Sequence, residues 1–564
     1  MTSGALLFKI SEHAAGDGAP KVHETAADRR AMPTFAEVAE AAGEKYGVCV
    51  RPLIMETFDT LTGVMSHQAI PCKATVASKC APCAKKAKAL RIQQCREGWH
   101  LDHEPADEEP DVTESQTQLL ELRADLFTVY QDAKADGDID QMRATAAEVA
   151  WVDEQLAKMG VRGTLPPLEP RKKVTHRSTK RRQDAPGLPR FKVEKRTLGA
   201  EYAGKYRPSL FVTFTLPSYG PVRSSAPVDH ENYDYRSAAR DCVHFASLVD
   251  RFMQNLRRAI GWDVQYFATV EPQKRGAPHL HVALRGSIPR KLVQHVAAAT
   301  YHQVWWPHHE HQKYPLDARQ PAWDDGRGTF IDPRTKRRLT SWDDAQEQIA
   351  DDEDAAPAHV ARFGAQVDVK GVLGGTPEAD RHIGYLTKYL TKAVSEVLDS
   401  ETADVRLAAH YRRLHKELQV TPCSDRCPVW LAYGIVPKGV TGKTVPGQCK
   451  GRAHRRDTLG MPGRRVLCSR KWTGKTLPDH KQDRRGFVQQ LLTDAGVIAP
   501  DRDTGTLLMS PARPGDLHTP PREHLIMASI AQRTTWRNEY EQAMDGAKPP
   551  DQQQDSNSSV RSVA

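Results

Sequence analysis

The stretch from Glu271 to Leu284 reads EPQKRGAPHLHVAL and carries two histidines separated by one residue. Side chains alternate between the two faces of a strand, so His279 and His281 share one face while their apolar neighbours point toward a core. Residues 264–271 have the pattern of a second strand, and 272–278 predict the turn between the two. This hairpin would bring Glu271 beside the histidines.

Two imidazoles and a carboxylate on one sheet face can chelate a divalent ion. A set of two histidines and one carboxylate with open positions suits Mn²⁺ or Mg²⁺ and leaves room for a phosphate oxygen. We therefore predict His279, His281 and Glu271 as metal ligands. The His-x-His pattern alone also fits ordinary surface or core histidines, so this interpretation depends on the rest of the site.

A helix predicted over 378–397, with Thr376 as its N-cap and Pro377 in its first turn, carries the second half of the candidate site. Tyr385 and Tyr389 lie about 40° apart around its axis, and Lys388 and Lys392 continue on the same side. A phenol beside lysines and a metal-bound phosphate can attack a phosphodiester to give a phosphotyrosine. The alternative is that both tyrosines cover the edge of a core.

The flanking sequence predicts further elements of a mixed fold. Apolar spacing indicates a strand at 209–216, a helix at 237–259 ended by Gly261, a helix at 289–304, a strand at 366–369, and two helices within 115–159 that break at 136–138. The stretch 343–354 holds seven acidic residues and no basic one, which predicts a solvated loop.

Ten cysteines in 564 residues are too few for a disulfide scaffold, but most of them cluster, which indicates metal binding in a reducing cytosol. The first predicted zinc set is Cys72, Cys80, Cys83 and Cys95, with Cys49 as a fifth candidate that could displace Cys72 or Cys95. The second is Cys423, Cys427, Cys449 and His454. A redox pair or buried thiols are the alternatives, and Cys242 and Cys468 are expected to act as small apolar residues.

The net charge is only +9, from 80 Lys+Arg against 71 Asp+Glu, but it is unevenly distributed. Residues 171–207 carry thirteen basic against three acidic residues, and 435–487 carry fourteen against three, with Trp472 and Phe487 interleaved. Such stretches suit phosphate contacts and base stacking, although a solvated tether or face is the alternative. The predicted DNA-binding residues are Arg171, Lys172, Lys173, Lys180, Arg181, Arg182, Arg464, Arg465, Arg470 and Lys471.

Other classes of protein are disfavoured. No apolar run reaches the roughly 18 residues of a membrane span, and the first residues do not have the pattern of a secretory signal, so we expect a cytoplasmic protein with no membrane partner. Two Gly-Lys-Thr triplets lack the upstream glycine of a P-loop, which argues against a built-in ATPase. The histidines at 302, 308, 309 and 311 are expected at the surface.

Three motifs occur in one order: a strand ending in Thr213-Phe-Thr-Leu-Pro, the His-hydrophobic-His strand, and the Tyr-x-x-Lys helix. In this the sequence resembles HUH endonucleases that initiate rolling-circle replication. It is more similar still to RepSA-type replication initiators of actinomycete plasmids, over 206–221, 265–281, 385–392 and 463–477. The resemblance implies a nickase that binds a double-strand origin, with Tyr385 or Tyr389 as nucleophile, a 5′-phosphotyrosine, and a free 3′-OH primer.

The implied partners are the origin, as duplex and exposed single strand, together with a host helicase, polymerase and single-strand-binding protein. An HUH transposase or relaxase would share the chemistry, and a non-catalytic zinc-dependent DNA-binding regulator would share only the DNA binding. Replication of a reporter plasmid supplied with this chain would distinguish a replication initiator from a transposase or relaxase. DNA binding that ignores Mn²⁺ and produces no cleavage would identify the regulator.

The expected fold class is α+β, an antiparallel sheet core of the HUH type with helices, an N-terminal zinc-knuckle module, and a C-terminal basic region able to hold a second zinc. The predicted divisions are 1–45, unassigned and partly disordered; 46–103, zinc module; 104–165, helical; 166–207, basic linker; 208–400, endonuclease core; 401–490, Cys/His and basic DNA-binding region; and 491–564, ending in a disordered tail.

Overall fold

The computed structural model describes residues 34–101, 103–105, 113–161, 166–169, 185, 187–199, 201, 207–315, 317–388, 390–392, 405–461, 465–494, 507–512 and 519–546. Its helices are α1 (Phe35–Lys45), α2 (Ala81–Trp99), α3 (Glu114–Asp136), α4 (Ile139–Lys158), α5 (Tyr235–Ile260), α6 (Arg290–Ala299), α7 (Trp342–Asp351), α8 (Pro377–Thr387), α9 (Val405–Val420), α10 (Leu477–Asp494) and α11 (Arg522–Gly546). None of these helices is both long and apolar enough to cross a membrane.

The strands are mostly short and antiparallel. They are β1 (Leu53–Asp59), β2 (Met65–Ile70), β3 (Pro208–Phe214), β4 (Val222–Arg223), β5 (Ala226–Pro227), β6 (Tyr266–Pro272), β7 (Pro278–Arg285), β8 (Tyr301–Val304), β9 (Ala322–Asp324), β10 (Thr329–Ile331), β11 (Thr340–Ser341), β12 (His359–Arg362), β13 (Val367–Leu373), β14 (Ile435–Val436), β15 (Val466–Cys468) and β16 (Leu507–Pro511). The predicted α+β class is confirmed.

The central sheet has five strands in the order β13-β3-β7-β6-β15, each antiparallel to its neighbours. The β6–β7 hairpin forms as the sequence predicts, and its register pairs Glu271 with His279. On the other side of β7, Thr213 of β3 pairs with His281. The register therefore gathers one side chain from each of three neighbouring strands.

The two faces of this sheet have separate cores. On one face, Leu280, Val282 and Leu284 are buried with residues of α5, α6 and α9. On the other face, Phe211, Phe267 and Ala283 pack with Cys95 and Trp99 of α2, Ile383 and Leu386 of α8, and Trp472. Because side chains alternate along β7, His279 and His281 belong to this second face, which α2 and α8 cover.

The chain divides into two compact units, one of residues 105–182 and one of the remaining sequence. The smaller unit is a helical hairpin of α3 and α4, whose turn contains Gly137 in the left-handed conformation at φ 74°. Leu126, Val149, Val152 and Leu156 form its apolar seam. The two helices and the break at 136–138 match the prediction.

Two predicted elements are wrong in part. Residues 342–351 form α7 and only the end of the acidic stretch is a loop, because Ser341 and Asp344 cap the helix reciprocally while Trp342 and Ala345 bury its apolar side. The predicted helix 289–304 ends at Ala299. The segment Tyr301–Val304, which begins with an aromatic and ends with a β-branched residue, then pairs with β12 as a strand.

The helix that carries the tyrosines begins as predicted but is shorter. Thr376 accepts from the backbone N–H of Ala379, and Pro377 occupies the first turn. The regular helix ends at Thr387, and residues 390–392 are in a turn. Tyr389 and residues 393–397 lie outside the described residues, as do 1–33 and the predicted disordered tail.

Candidate active site and metal centres

Glu271, His279 and His281 meet on the sheet face that α8 covers. The Nε2 atom of His281 lies 3.7 Å from Oε2 of Glu271. The rings of His279 and His281 are edge to face with centroids 4.5 Å apart. His281 and Glu271 are buried, and His279 is half-buried. Strand pairing thus produces the predicted juxtaposition of a carboxylate and two imidazoles.

Each histidine is oriented by a neighbour that the sequence pattern did not single out. Thr213 Oγ1 lies 3.0 Å from Nδ1 of His281 and can fix the ring so that Nε2 faces Glu271. Gln273 Nε2 lies 3.1 Å from Nδ1 of His279, and Arg275 in turn donates to Gln273 Oε1. The local signal was present, because Thr213 is the first residue of the Thr-Phe-Thr-Leu-Pro motif and Gln273 lies in the hairpin turn.

Burial dominates the protonation of all three groups. It raises the pKa of Glu271 to about 7, although the positive charges of Arg465 and Lys388 act in the opposite direction. Burial also lowers the pKa of His279 to about 4, helped by the charge of Arg275, and that of His281 to about 3, helped by the neighbouring imidazole of His279. Both imidazoles are therefore neutral at pH 7, the state in which a histidine binds a metal.

The donor set suits a divalent cation by its chemistry. Glu271 Oε1 is buried without a hydrogen-bond partner among the described residues, so a cation would satisfy it. His279 is less well placed, because the Gln273 amide nitrogen faces its Nδ1 and coordination through Nε2 requires that amide to turn. In agreement with this, the ligand atoms of Glu271, His279 and His281 do not all lie within 4.8 Å of one another, unlike those of the two cysteine clusters. Glu271 and His281 are the better-placed pair.

Tyr385 stands directly beside this set. Its ring is edge-on to His281 with centroids 4.9 Å apart, and its side chain is 46% exposed. Ile383 and Leu386 hold α8 in the core, which leaves Tyr385 at the rim. Lys388 is close enough to Glu271 to lower its pKa, and the carbonyl of Lys392 accepts from Arg465. The structure brings one tyrosine, both lysines and the metal-ligand candidates into one region.

The first cysteine cluster differs from the prediction in one ligand. Cys49, Cys72, Cys80 and Cys83 have their sulfur atoms within 4.8 Å of one another and can hold zinc. Cys95 is excluded because α2 is continuous from Ala81 to Trp99, which places Cys95 about 18 Å along the helix from Cys83. Cys95 is instead buried in the core beneath α8. Cys49 replaces Cys95 as the fourth member of the cluster, which is one of the two replacements that the sequence predicted for Cys49.

The second cluster has the predicted members. Ligand atoms of Cys423, Cys427, Cys449 and His454 all lie within 4.8 Å of one another, so this group can also hold zinc. His454 Nδ1 is 2.8 Å from the carbonyl oxygen of Leu418, which leaves its Nε2 directed at Cys427. Such an outer contact fixes the ring of a zinc-binding histidine. Cys242 is buried in the main core, and Cys468 packs against the core beneath α8.

Three of the predicted DNA-binding residues lie in the described part of the chain, and the others lie outside it. Arg470 is exposed, Lys471 is half-buried, and Arg465 is half-buried with its guanidinium donating to the carbonyls of Val270 and Lys392. Arg465 therefore braces the active-site strand β6. The remaining predicted residues lie outside the described part of the chain, namely Arg171, Lys172, Lys173, Lys180, Arg181, Arg182 and Arg464.

Two aromatic predictions are corrected. Trp472 is fully buried, donating its indole N–H to Gln94 with Arg285 4.8 Å from its ring, so it cannot stack on a base, whereas Phe487 is 62% exposed. His309 is buried against Trp430, and His302 is half-buried near His244. These histidines are not at the surface because the insertion that contains them has its own aromatic core. His308 and His311 are exposed, as predicted.

The fold and the site define an α+β protein whose antiparallel sheet brings two histidines and a carboxylate beside a helix-borne tyrosine. The sequence profile of the RepSA family, described as "Replication initiator protein, pSAM2", matches residues 35–532. The "Replication initiator protein" of Streptomyces ambofaciens is 26% identical over 223 residues, a match that covers 33% of this chain and 42% of that protein. No solved structure matches the chain. The chain belongs to the RepSA family of replication initiators.

Proposed function

We propose that this protein starts replication by binding a plasmid double-strand origin and nicking one strand through a tyrosine. The observation that carries the proposal is the position of Tyr385, whose ring centroid is 4.9 Å from that of His281 at a rim open to solvent. A buried tyrosine far from the histidines would have no access to a phosphodiester. The exposed placement leaves room for a DNA strand beside the phenol.

Glu271, His281 and His279 would hold Mn²⁺ or Mg²⁺. The ion, when bound, supplies Lewis-acid polarisation of the scissile phosphate. The chain itself provides neutral imidazoles, because burial keeps both histidine pKa values low. Thr213 keeps His281 aimed at Glu271, and Arg465 braces the strand that ends in Glu271.

Tyr385 would attack phosphorus through its phenolic oxygen. A bond from Oη to phosphorus forms, the bond from phosphorus to the 3′-oxygen breaks, and the phenolic proton is balanced by the one that the 3′-oxygen gains. The products are a 5′-phosphotyrosine and a free 3′-OH. Lys388 and Lys392 are proposed to neutralise the charge on the phosphate. Because one phosphodiester replaces another, the break can be resealed without ATP.

Tyr389 is proposed as the second nucleophile, able to perform the closing transfer after one round. It shares the Tyr-x-x-Lys spacing with Tyr385, since Lys392 follows it by three residues.

A host helicase, polymerase and single-strand-binding protein are the proposed partners, because the Gly-Lys-Thr triplets do not complete a P-loop. We propose that the protein acts in the cytoplasm.

The test is covalent adduct formation on a single-stranded origin oligonucleotide with Mn²⁺, observed as a gel shift after denaturation. Tyr385→Phe should reduce adducts by at least about 100-fold, and Tyr385→Phe with Tyr389→Phe should abolish them, because a phenyl ring has no nucleophile. Tyr46→Phe is the matched control, since Tyr46 is similarly exposed at 45%.

Adducts at the wild-type level in the double variant would refute the tyrosine mechanism. Duplex binding without any adduct in the wild-type protein, with or without Mn²⁺, would favour the zinc-dependent regulator. If cleavage occurs, replication of a reporter plasmid supplied with this chain separates an initiator from a transposase or relaxase.

A further inference from the structure

The insertion between β8 and β12 carries a rigid turn at 332–338. Asp332 Oδ1 accepts from the backbone N–H groups of Arg334 and Thr335, at 2.8 and 2.7 Å. Its Oδ2 accepts from the hydroxyl of Tyr314, and its backbone pairs with Arg337 and Lys336. These hydrogen bonds hold the pKa of Asp332 well below its usual range. The turn is therefore fixed before any ligand arrives.

This turn presents four cations in five residues: Arg334, Lys336, Arg337 and Arg338, all exposed. Among the described residues, no acidic side chain forms an ion pair with Arg334, Lys336 or Arg337. Asp332 is ionised and supplies one negative charge within the turn, but its oxygens accept from the turn backbone and from Tyr314 rather than from these cations. With four cations and one carboxylate, residues 332–338 keep an excess of positive charge.

A cavity of about 250 Å³ extends this charge, and Arg327, Arg338 and Lys438 line it next to the first turn of α7. Arg327 donates to the carbonyl of Lys336, which ties the cavity wall to the basic turn. Asp343 pairs with Lys438 at 2.9 Å and Asp324 with Arg327 at 3.8 Å, so this wall is partly neutralised. The turn and the cavity wall together form a basic face of six cations: Arg327, Arg334, Lys336, Arg337, Arg338 and Lys438.

The basic face is supported from below by the segment that follows Cys427. Leu431 and Val436 of that segment pack with Phe330 and Leu339, which lie just before and just after the basic turn in the sequence. The turn Pro428–Tyr433, which contains Leu431, also buries Trp430 against Trp342. The second cysteine cluster therefore anchors the floor on which the basic face rests.

We propose that the basic face binds the phosphate backbone of duplex DNA beside the nick site, an interface that goes beyond the nicking proposed above. Arginines in a fixed turn match phosphate oxygens and release condensed counterions. Single-stranded DNA is disfavoured because no large aromatic side chain is highly exposed among the described residues of the insertion. A lipid surface would also need exposed apolar side chains, which the same residues lack.

The location explains why this contact would be separate from cleavage. The strands β8 and β12 pack on α5, which covers the face of the central sheet opposite to His279 and His281. A duplex held there would be a flanking segment of the origin. Loss of the basic face should therefore weaken binding of duplex DNA without changing the chemistry at Tyr385.

The test measures the affinity of Arg334→Gln/Arg337→Gln for a labelled random-sequence duplex of about 30 base pairs across a salt series. Because each phosphate contact contributes about 0.9 to the slope of log K against log salt, the double variant should lower that slope by about 1.8. The affinity at physiological salt should fall about tenfold. The matched control is Arg143→Gln/Lys158→Gln, which removes the same charge from exposed positions of α4.

Two companion measurements decide the interpretation. Binding of a single strand of the same length should be unchanged, and an equal loss there would overturn the assignment to duplex DNA. An unchanged salt slope, or an equal fall in the control variant, would overturn the interface itself. Adduct formation on the single-stranded origin oligonucleotide tests the nicking function separately, and we expect it to stay at the wild-type level in both variants.

Discussion

The two cysteine clusters are alike in composition but support different surfaces of the protein. Cys80 caps α2 and Cys83 lies in its first turn, and the far end of α2 packs against α8, the helix that carries Tyr385. The loop before Cys80 also reaches the active site, since the N–H of Ala77 donates to the carbonyl of Thr391. The first cluster is thus connected to the segment that carries Tyr385 from two directions.

The second cluster is connected to the insertion instead. Cys427 immediately precedes the turn Pro428–Tyr433, in which Trp430 is fully buried among Trp306 and Trp342. That turn leads to the residues under the basic face. The comparison indicates that zinc at one site would position the helix that carries Tyr385, and zinc at the other would position the basic face proposed above to bind DNA. Each can therefore be broken separately, with different consequences.

The largest effect is expected from Cys80→Ser/Cys83→Ser. This variant should lose one bound zinc, and adduct formation should fall about 100-fold, because a displacement of about 1 Å at a reacting group has that effect. Hydrogen exchange of α8 should accelerate, which is a readout independent of activity. Cys468→Ser, outside both clusters, should retain all bound zinc. Wild-type adduct rates after loss of the zinc would contradict the proposed support of α8.

A smaller and different effect is expected from Cys427→Ser/Cys449→Ser. Loss of the second zinc should loosen the floor of the basic face, so duplex affinity should fall about tenfold and the salt slope should decrease. Adduct formation on a short single strand should stay within about twofold of wild type, since the strands that flank the insertion pack on α5, on the face of the central sheet opposite to α8. Equal loss of both activities would show that the two clusters are not separable in function.

Local patterns in the sequence were sufficient for the central part of the site. The period of two in the β7 strand placed both histidines on one face, and the short turn of the hairpin placed Glu271 opposite His279. Thr376 and Pro377 correctly marked the start of the tyrosine helix. These features depend on residues within a few positions of one another, where strand alternation and helix capping determine the outcome.

Contacts between distant segments were not predictable in the same way. Cys49 lies 31 residues before Cys80, and only the folded β1–β2 region shows that it replaces Cys95 as a cluster member. Trp472 was expected at a DNA surface, but α2 and Arg285 enclose it in the core. Composition cannot distinguish an exposed tryptophan in a basic stretch from a buried one, because the partner that buries it comes from elsewhere in the chain.

The smallest expected effect comes from breaking the ion pair between α2 and α8, the helix that carries Tyr385. Arg96 and Asp380 form an ion pair across the two helices at 3.1 Å, but both side chains are more than half exposed. A double-mutant cycle with Arg96→Ala and Asp380→Ala should therefore give a coupling below about 1 kcal/mol. By comparison, Ile383→Ala should lower the free energy of unfolding by about 2–5 kcal/mol, because Ile383 is buried beside Cys95. Chemical denaturation measures both quantities, and a coupling of the ion pair that equals the loss at Ile383 would show that charge, rather than apolar packing, links the first cluster to Tyr385.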